Sequence, residues 1–245
     1  MTGDGETRFW AGFILEAYPF TTFPPGARVL DVGCGEGTQL DQLVAHGCTA
    51  VGIEPSQVAA RRCRAKGLTV LSATAEHIPL TDGWADGVIC KVVVPYAEEK
   101  SAIAECGRVL KPGGRMEACY HGVGYYLRWV LLGPSARLRL YGLRSILNSW
   151  LYALWERRLP GRLGIPCTSL PPALSQYYVA NGLEVEREAA SQTFLGMPVF
   201  IYHRLRKGAA VTATDAASAA RESASDATLA ATASSDPRRV RGSAP

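Results

Sequence analysis

The sequence predicts a doubly wound α/β fold, with a mostly parallel seven-stranded sheet, an antiparallel last strand and a helical insertion after the fifth strand. Short apolar runs alternate with helical patterns between residues 28 and 120, which is typical of a parallel sheet. A glycine-rich turn joins the first apolar run to the first of these helices. Two further strands, predicted over 183–189 and 199–205, lie close together in the chain and are expected to form an antiparallel pair.

The core elements follow in a regular order. Strands are predicted over 28–32, 49–53, 68–72, 86–92 and 115–120, and helices over about 38–46, 57–66 and 98–110. Gly47 and Gly67 each follow a helical pattern directly, as C-terminal caps do. Because parallel strands are joined by right-handed crossovers, we expect helices on both faces of the sheet.

We divide the chain into five parts. They are an N-terminal capping helix (1–25), an α/β core (26–120), a helical lid rich in arginine and tryptophan (121–172), the last helix and β-hairpin of the core (173–207) and a disordered tail (208–245). The tail is mostly alanine, serine, threonine and aspartate, with too little apolar bulk to offset the entropy of ordering.

The composition argues against several classes of protein. No apolar run has the length of a membrane span, and acidic residues precede the first apolar ones, unlike in a secretory signal. The seven cysteines include no Cys-x-x-Cys pair and the four histidines are scattered, so we expect reduced thiols, a cytoplasmic protein and no metal site. The net charge of +4 is too small to indicate nucleic-acid binding, and no specific nucleic-acid partner is expected.

The turn from Asp31 to Gly37 has glycine at every second position, after an acid that ends the first strand. Glycine permits positive φ and a close approach of the backbone to a ligand. The helix that begins near Thr38 points its free N–H groups at the same space. The Gly-x-Gly-x-Gly spacing differs from the Gly-x-Gly-x-x-Gly of dinucleotide-binding turns. The turn therefore predicts a polar cradle for a ligand, with a purely structural glycine turn as the alternative.

Glu54 ends the second strand and follows Asp31 by 23 residues. A carboxylate at this position can accept hydrogen bonds from both hydroxyls of a ribose. The glycine turn and this acid together predict a nucleoside-bearing ligand. A solvated glutamate at a strand end is the alternative.

At the level of motifs, the chain resembles the class I S-adenosylmethionine-dependent methyltransferases, with a type-11-like domain over roughly residues 26–120. The similar segments are Val29–Leu40, Gly52–Ser56, Ala75–Leu80, Asp82–Val88 and Glu105–Gly114. The most specific are the glycine turn and the Arg-Val-Leu-Lys-Pro-Gly-Gly run that ends at Gly114. The resemblance implies a Rossmann-like sheet, S-adenosylmethionine as cofactor and methyl transfer as the activity.

The resemblance also implies roles for individual residues. It places the methionine part of the cofactor on the glycine turn, the ribose on Glu54 and the adenine beside the loop over 74–76. The residues assigned to the cofactor are Asp31, Gly33, Cys34, Gly35, Gly37, Glu54, Pro55, Thr74, Ala75, Glu76 and Lys91. The family often has aspartate where Thr74 stands, phenylalanine at Ala85 and histidine at Pro95, so the adenine pocket of this chain departs from the usual pattern.

The insertion after the fifth strand concentrates the positive charge of the chain. Between residues 122 and 162 there are seven arginines and a single acid, Glu156, and three of the five tryptophans. Apolar residues at 143, 146, 147, 150, 151, 154 and 155 recur at helical spacing, so this wide face is expected to be buried. The insertion has three interpretations. It is a plain lid with arginines along its rim, a lid that lines an acceptor pocket, or such a lid that also contacts an anionic membrane surface.

His121 directly follows the fifth strand, so we expect it near the transferred methyl group, as a general base where the acceptor carries a proton. An ordinary hydrogen-bonded histidine at a strand end is the alternative. The expected acceptor is an apolar or amphipathic small molecule, with anionic and lipid-linked molecules included. Two other functions remain open: a non-catalytic cofactor-binding or membrane-surface scaffold, and a nicotinamide-dependent oxidoreductase, against which the glycine spacing counts.

Overall fold

The computed structural model describes residues 22–155, 171–190 and 192–209. The chain divides into one unit over Met1–Gly208 and a second over Ala209–Pro245, of which only Ala209 is described. The predicted N-terminal capping helix up to residue 21, the end of the predicted lid over 156–170 and the predicted disordered tail from residue 210 therefore lie outside the described residues. None of the helices within the described ranges is long and apolar enough to cross a membrane.

The main sheet has seven strands. In the described residues the strands are β1 (Arg28–Val32), β2 (Thr49–Ile53), β3 (Val70–Leu71), β4 (Ala85–Lys91), β5 (Leu110–His121), β6 (Leu183–Ala190), β7 (Thr193–Phe194), β8 (Met197–Pro198) and β9 (Phe200–Lys207). Their order in the large sheet is β3-β2-β1-β4-β5-β9-β6, and β7 and β8 form a separate hairpin. Strand β9 is antiparallel to both β5 and β6, while β1 to β5 pair in parallel. The predicted mostly parallel sheet with an antiparallel last strand is confirmed.

Helices cover both faces of the sheet. They are α1 (Thr38–Ala45), α2 (Gln57–Ala65), α3 (Glu99–Val109), α4 (Val123–Leu132), α5 (Ala136–Trp155) and α6 (Pro171–Ala180), with a short 3-10 turn over Val94–Tyr96. Buried residues of α3 and α6 share one core, which includes Leu30 and Val32 of β1. Buried residues of α1 and α2 share another with Val29, and α4 packs with Cys119 and Tyr202. Alternate residues of each strand thus face opposite layers, as a doubly wound sheet requires.

The main differences from the expectations concern two strands and one hairpin, while other element ends shift by one or two residues. Strand β5 begins at Leu110 rather than 115, because Leu110 already pairs with Ala85. The residues after Leu110 bulge, with Gly113 at a φ of 75°, before pairing resumes at Arg115 and Gly87. Strand β3 keeps only Val70 and Leu71 of the predicted 68–72, since only these two residues pair with β2. The hairpin of β7 and β8 was not predicted. Its tight turn is formed by Leu195 (φ 50°) and Gly196 (φ 76°).

The apolar face of the insertion is not buried as expected. Leu143, Leu147, Trp150 and Leu154 are each more than half exposed. Helix α5 instead contacts α4 through small residues such as Gly142, where a Cβ atom would lie 2.7 Å from the carbonyl oxygen of Tyr126. The expectation was wrong because helical spacing identifies an apolar stripe without identifying the side from which a neighbouring helix approaches.

Candidate active site

The glycine turn between β1 and α1 adopts a conformation that only glycine takes readily. Gly33, Gly35 and Gly37 have φ angles of 67°, 53° and 82°. A Cβ atom on Gly33 would overlap Cγ2 of Val93, whereas one on Gly35 would meet no atom within 4 Å. Gly33 therefore lets the Val93 side chain pack against the turn, and Gly35 borders open space at the end of the sheet.

Glu54 lies directly against this turn. Its Oε2 accepts a hydrogen bond from the Gly35 N–H at 3.0 Å, and its Oε1 accepts one from the Ser56 N–H at 2.8 Å. The carbonyl of Ile53 accepts the N–H groups of Gly33 and Cys34 at 2.9 and 3.0 Å. The sequence-predicted turn and acid are thus brought together, and each carboxylate oxygen retains a lone pair that can accept a ribose hydroxyl.

Asp31 is a buried carboxyl group at the end of β1, with 3% of its surface exposed. Its Oδ2 has no hydrogen-bond partner among the described residues. Burial raises the pKa of Asp31 to about 7, against the lowering effect of Lys91 and with a further rise from Glu54. A cationic ligand group placed at this carboxylate would supply the missing partner.

A cleft of about 190 Å³ opens beside these residues. It is lined by Gly33, Ile53, Pro55, Ala73, Thr74, Ala75, Glu76, Val93, Tyr96 and Ala97. We call it the cofactor cleft. The loop over 74–76 that was expected to flank an adenine lies in the same cleft as Gly33 and Pro55. The predicted cofactor residues that do not line it are Asp31, Cys34, Gly35, Gly37, Glu54 and Lys91, which lie in the turn or at the ends of β1, β2 and β4.

Glu76 holds this loop against the start of α3. Its carboxylate accepts a hydrogen bond from the Glu98 N–H at 2.8 Å. Burial raises the pKa of Glu76, but this hydrogen bond and others outweigh burial, so the net shift is downward. Glu76 is therefore an ionised carboxylate at neutral pH that is already engaged with the protein backbone.

His121 lies at the end of β5 with 4% of its surface exposed. Its ring stacks on Tyr125, with centroids 3.7 Å apart and planes 8° apart, and its Nδ1 lies 3.3 Å from the hydroxyl of Tyr126. Burial lowers the pKa of His121 to about 3. The imidazole is therefore neutral across the physiological range, and one of its two ring nitrogens can accept a hydrogen bond.

A second cavity, of about 320 Å³, lies between His121 and the insertion. Its lining residues are His121, Val123, Tyr126, Ile146, Ser149, Trp150 and Met197. We call it the acceptor pocket. Helices α4 and α5 and the β7–β8 hairpin each contribute to its wall, and its surface is mostly apolar, which suits an apolar or amphipathic small molecule. A third cavity, of about 370 Å³, lies between Phe23 and the C-terminal end of α1, away from these groups.

Tyr96 connects the two cavities. It lines the cofactor cleft, and its ring lies edge-on to His121 in the acceptor pocket, with centroids 6.2 Å apart. Its hydroxyl lies 3.2 Å from that of Tyr141 in α5. Four residues before Tyr96, Val92 has a φ of 59°, which is a strained conformation for a β-branched residue. This bend ends β4 and directs the next residues into the space between the two cavities.

Sequence reasoning missed Tyr96 and Val92. Nothing in the local pattern marks Val92, because its left-handed backbone is imposed by tertiary contacts.

Comparison with known proteins identifies the class. Residues 30–117 match the model of a methyltransferase domain. An uncharacterized methyltransferase of Mycobacterium tuberculosis is 34% identical over 105 residues, which are 42% of this chain and 43% of that protein. The ubiquinone biosynthesis O-methyltransferase of Methylococcus capsulatus is 35% identical over 97 residues, 36% of this chain and 41% of that protein. The aligned regions thus span less than half the length of these relatives.

Solved structures agree on the fold. An S-adenosylmethionine-dependent methyltransferase of Methanosarcina mazei superposes with a TM-score of 0.60 at 19% identity, over 80% of this chain and all of that one. One from Mesorhizobium loti superposes with a TM-score of 0.57 at 16% identity, over 83% and 98% of the two chains. Identities this low show the shared fold alone.

Residues 30–117 of this chain match the model of a methyltransferase domain, and the fold is shared with solved methyltransferases whose cofactor is S-adenosylmethionine. The site fits the cofactor on two counts. Among the described residues, Oδ2 of the buried Asp31 has no hydrogen-bond partner, and the α-ammonium group of the cofactor would supply one. Gly35 borders open space beside Glu54, where the cofactor can approach the protein backbone closely.

Proposed function

We propose that this protein transfers a methyl group from S-adenosylmethionine to an apolar or amphipathic small molecule held in the acceptor pocket. The observation that carries the proposal is the position of Tyr96, which lines the cofactor cleft while its ring contacts His121 of the acceptor pocket. The two cavities therefore lie on either side of the contact between Tyr96 and His121. A donor in one cavity would lie close to an acceptor in the other.

The bound cofactor supplies a methyl group that is already activated on a sulfonium, so the protein mainly has to position the two partners. Glu54 would hold the ribose hydroxyls, and Asp31 the α-ammonium group. Gly33 and Gly35 keep the backbone clear of the ligand. The loop over 74–76 closes the far side of the cleft, with the Thr74 hydroxyl or a backbone group in place of the aspartate that the family often has.

His121 would bind the reacting group of the acceptor. Burial keeps its imidazole neutral, so a ring nitrogen can accept a hydrogen bond from an acceptor hydroxyl and orient its oxygen toward the methyl group. Because a pKa of about 3 makes the ring a weak base, His121 positions the acceptor and does not remove its proton. The contact between Nδ1 and the Tyr126 hydroxyl holds the ring in place. Two relatives are named as O-methyltransferases, one of ubiquinone biosynthesis and one of malonyl-acyl-carrier protein, which supports an oxygen acceptor.

The identity of the acceptor depends on the insertion. The alignments with the O-methyltransferases cover 36% and 38% of this chain, and the family match ends at residue 117. The acceptor pocket is built from later residues, between His121 and Met197. Its lining favours an apolar or lipid-linked acceptor, with its reacting atom at His121. A cytoplasmic location is part of the proposal, supported by the buried free thiols of the six described cysteines.

The test is methyl transfer by the full chain from isotope-labelled S-adenosylmethionine into a panel of lipid, glycolipid and aromatic acceptors. We expect label in at least one apolar acceptor and its loss in His121→Ala, while His46→Ala at the exposed end of α1 stays active. Cofactor binding without any labelled acceptor would instead support a non-catalytic scaffold. Thermal protection by NADH rather than by S-adenosylhomocysteine would support the oxidoreductase alternative.

A further inference from the structure

The outer face of α5 carries an exposed apolar stripe. It consists of Leu140, Leu143, Leu147, Trp150 and Leu154, each between 52% and 65% exposed. At 3.6 residues per turn, these five side chains fall within about 80° of the helix circumference. We call this stripe the leucine ridge. Single exposed leucines are ordinary on a protein surface, but a continuous row of five along one helix is not.

The opposite face of α5 is the buried one, and it combines small and polar residues with Leu138 and Tyr141, which pack against the aromatic core of α4. Ser145 and Asn148 are fully buried, and Gly142 packs closely on α4. The Ser145 hydroxyl satisfies its hydrogen bond within the helix, by donating to the Tyr141 carbonyl at 2.8 Å. A helix on a protein surface in water has the reverse arrangement, with its apolar face inward. Small and polar residues toward a neighbouring helix and leucines outward are typical of a helix whose outer side meets an apolar medium.

The charge around the leucine ridge has one sign. Residues 118–155 contain no aspartate or glutamate. Arg137 and Arg139 are exposed, and Arg144 is half-buried over the ring of Tyr141. On the helical projection, Arg137 and Arg144 flank the ridge on one side and Arg139 on the other. Arginine on both flanks of an apolar face matches the anionic headgroups that surround an acyl layer.

The acceptor pocket opens onto this same surface. Trp150 belongs both to the leucine ridge and to the pocket wall, and it is 64% exposed. Val123 and Met197, at the other side of the pocket, are 47% and 43% exposed. An apolar molecule could thus pass between the pocket and a medium in contact with the ridge without crossing water.

We propose that the leucine ridge and its flanking arginines seat the protein on the surface of an anionic lipid bilayer, with α5 lying in the plane of the interface. Docking itself is independent of the chemistry at His121. That the acceptor enters the pocket from the bilayer rests on the function proposed above. The two ideas are separable, because vesicle binding and cofactor binding are measured independently.

The experiment is sedimentation of the full chain with vesicles of phosphatidylglycerol and phosphatidylcholine, beside vesicles of phosphatidylcholine alone. The ridge variant is L143Q/L147Q/L154Q, which keeps good helix formers and leaves the pocket residue Trp150 in place. The control is V58Q/V179Q, which alters exposed apolar residues on α2 and α6. We expect the wild type and the control to bind anionic vesicles, and the ridge variant to bind at least tenfold more weakly.

A second arm tests the charge. Arg137→Gln should weaken binding to anionic vesicles about fivefold, and Arg61→Gln on α2 should not, since each arginine near such a surface contributes about 1 kcal/mol. Thermal stabilisation by S-adenosylhomocysteine, unchanged in the ridge variant, shows that this variant is folded. The same measurement tests cofactor binding, on which the proposed function depends, separately from vesicle binding.

Two results would overturn the proposal. One is a wild-type protein that stays in the supernatant with anionic vesicles, whether because a second copy or another part of the chain covers the leucine ridge. If a second copy covers the ridge, sedimentation velocity without lipid will show a dimer for the wild type and a monomer for the ridge variant. The other is equal vesicle binding by the wild type and the ridge variant.

Discussion

The ring of Tyr96 lies edge-on against the imidazole of His121, with centroids 6.2 Å apart and ring planes at 82°. Tyr96 belongs to the wall of the cofactor cleft and His121 to the wall of the acceptor pocket. One aromatic contact therefore forms the boundary across which the proposed methyl transfer takes place.

Replacement of Tyr96 should affect the transfer step more than cofactor binding. Tyr96→Ala removes the ring that lines the cofactor cleft and contacts His121, so the donor and the acceptor are held less firmly. A misplacement of about 1 Å at a reacting centre can cost about a hundredfold in rate. We expect a loss of this size in kcat for labelled methyl transfer. Tyr96→Phe keeps the ring and loses only the contact with the Tyr141 hydroxyl, so it should stay within about threefold of the wild type. Equal activity of Tyr96→Ala and the wild type would contradict this role.

Loss of the Glu54 carboxylate should weaken cofactor binding strongly. The carboxylate accepts the N–H groups of Gly35 and Ser56, and it would also hold the ribose hydroxyls. Hydrogen bonds to a charged group contribute about 1.5–3 kcal/mol, so we expect the Kd for S-adenosylhomocysteine to rise about ten- to hundredfold in Glu54→Ala. Glu36→Ala is the matched control. Glu36 lies in the same turn, but its carboxylate pairs with exposed Arg62. Calorimetric titration of both variants measures the difference, and equal affinities would remove the ribose assignment.

Gly33 and Gly35 should tolerate alanine unequally. Both have positive φ, but only at Gly33 would the added Cβ overlap Val93. We expect Gly33→Ala to lower the free energy of unfolding by about 2–3 kcal/mol, and Gly35→Ala by about 1–2 kcal/mol from backbone strain alone. Urea unfolding of the two variants tests this order. The reverse order would mean that the turn is not packed on Val93 as described.

Asp31→Asn should stabilise the free protein while it weakens cofactor binding. Burial raises the pKa of Asp31 from 3.8 to about 7, so between these values the folded state binds more protons than the unfolded state. Stability therefore falls as pH rises from about 4 to 7, by on the order of 4 kcal/mol at most, and stays at the lower level above pH 7.

The side-chain amide of the Asp31→Asn variant carries no charge, so the variant should lose less stability than the wild type between pH 5 and pH 8 in thermal scans. A smaller fall remains because burial also raises the pKa of Glu117 to about 7. Since a cationic ligand group favours the ionised carboxylate, wild-type affinity for S-adenosylhomocysteine should rise with pH toward 8, and Asp31→Asn should abolish that dependence. A pH-independent wild-type affinity would contradict the assignment of Asp31 to the cofactor.

His121 should remain neutral at mildly acidic pH. Burial lowers its pKa to about 3, so between pH 6.5 and 3 the unfolded state takes up a proton that the folded state does not. Stability from this group is present above pH 6.5 and is lost as pH falls toward 3. The NMR signal of the His121 ring, assigned by its loss in His121→Gln, should not shift between pH 8 and pH 5. A titration midpoint near 6.5 would show that the ring is solvated.

Much of the fold could be predicted from local pattern. The alternation of apolar runs and helices specified the order of elements, because each strand buried on both faces must be continuously apolar. Gly33, Gly35, Gly37 and Glu54 were also predictable as a group, since the carboxyl ends of adjacent parallel strands meet at one edge. Their roles in binding the cofactor remain predictions.

What local pattern could not predict depends on contacts between distant segments. The strained backbone of Val92 and the position of Tyr96 follow from how β4 meets the insertion, which no spacing reveals. The apolar stripe of α5 was recognised, but the side that α4 covers was not. That side depends on Gly142, whose missing side chain permits the close helix contact.

The most direct test of the account is a crystal structure of the full chain with S-adenosylhomocysteine. We expect the ribose hydroxyls within hydrogen-bond distance of Glu54, the α-ammonium group at Asp31, and the sulfur directed past Tyr96 toward His121. A ligand bound outside the cofactor cleft, or one whose sulfur points away from the acceptor pocket, would contradict it.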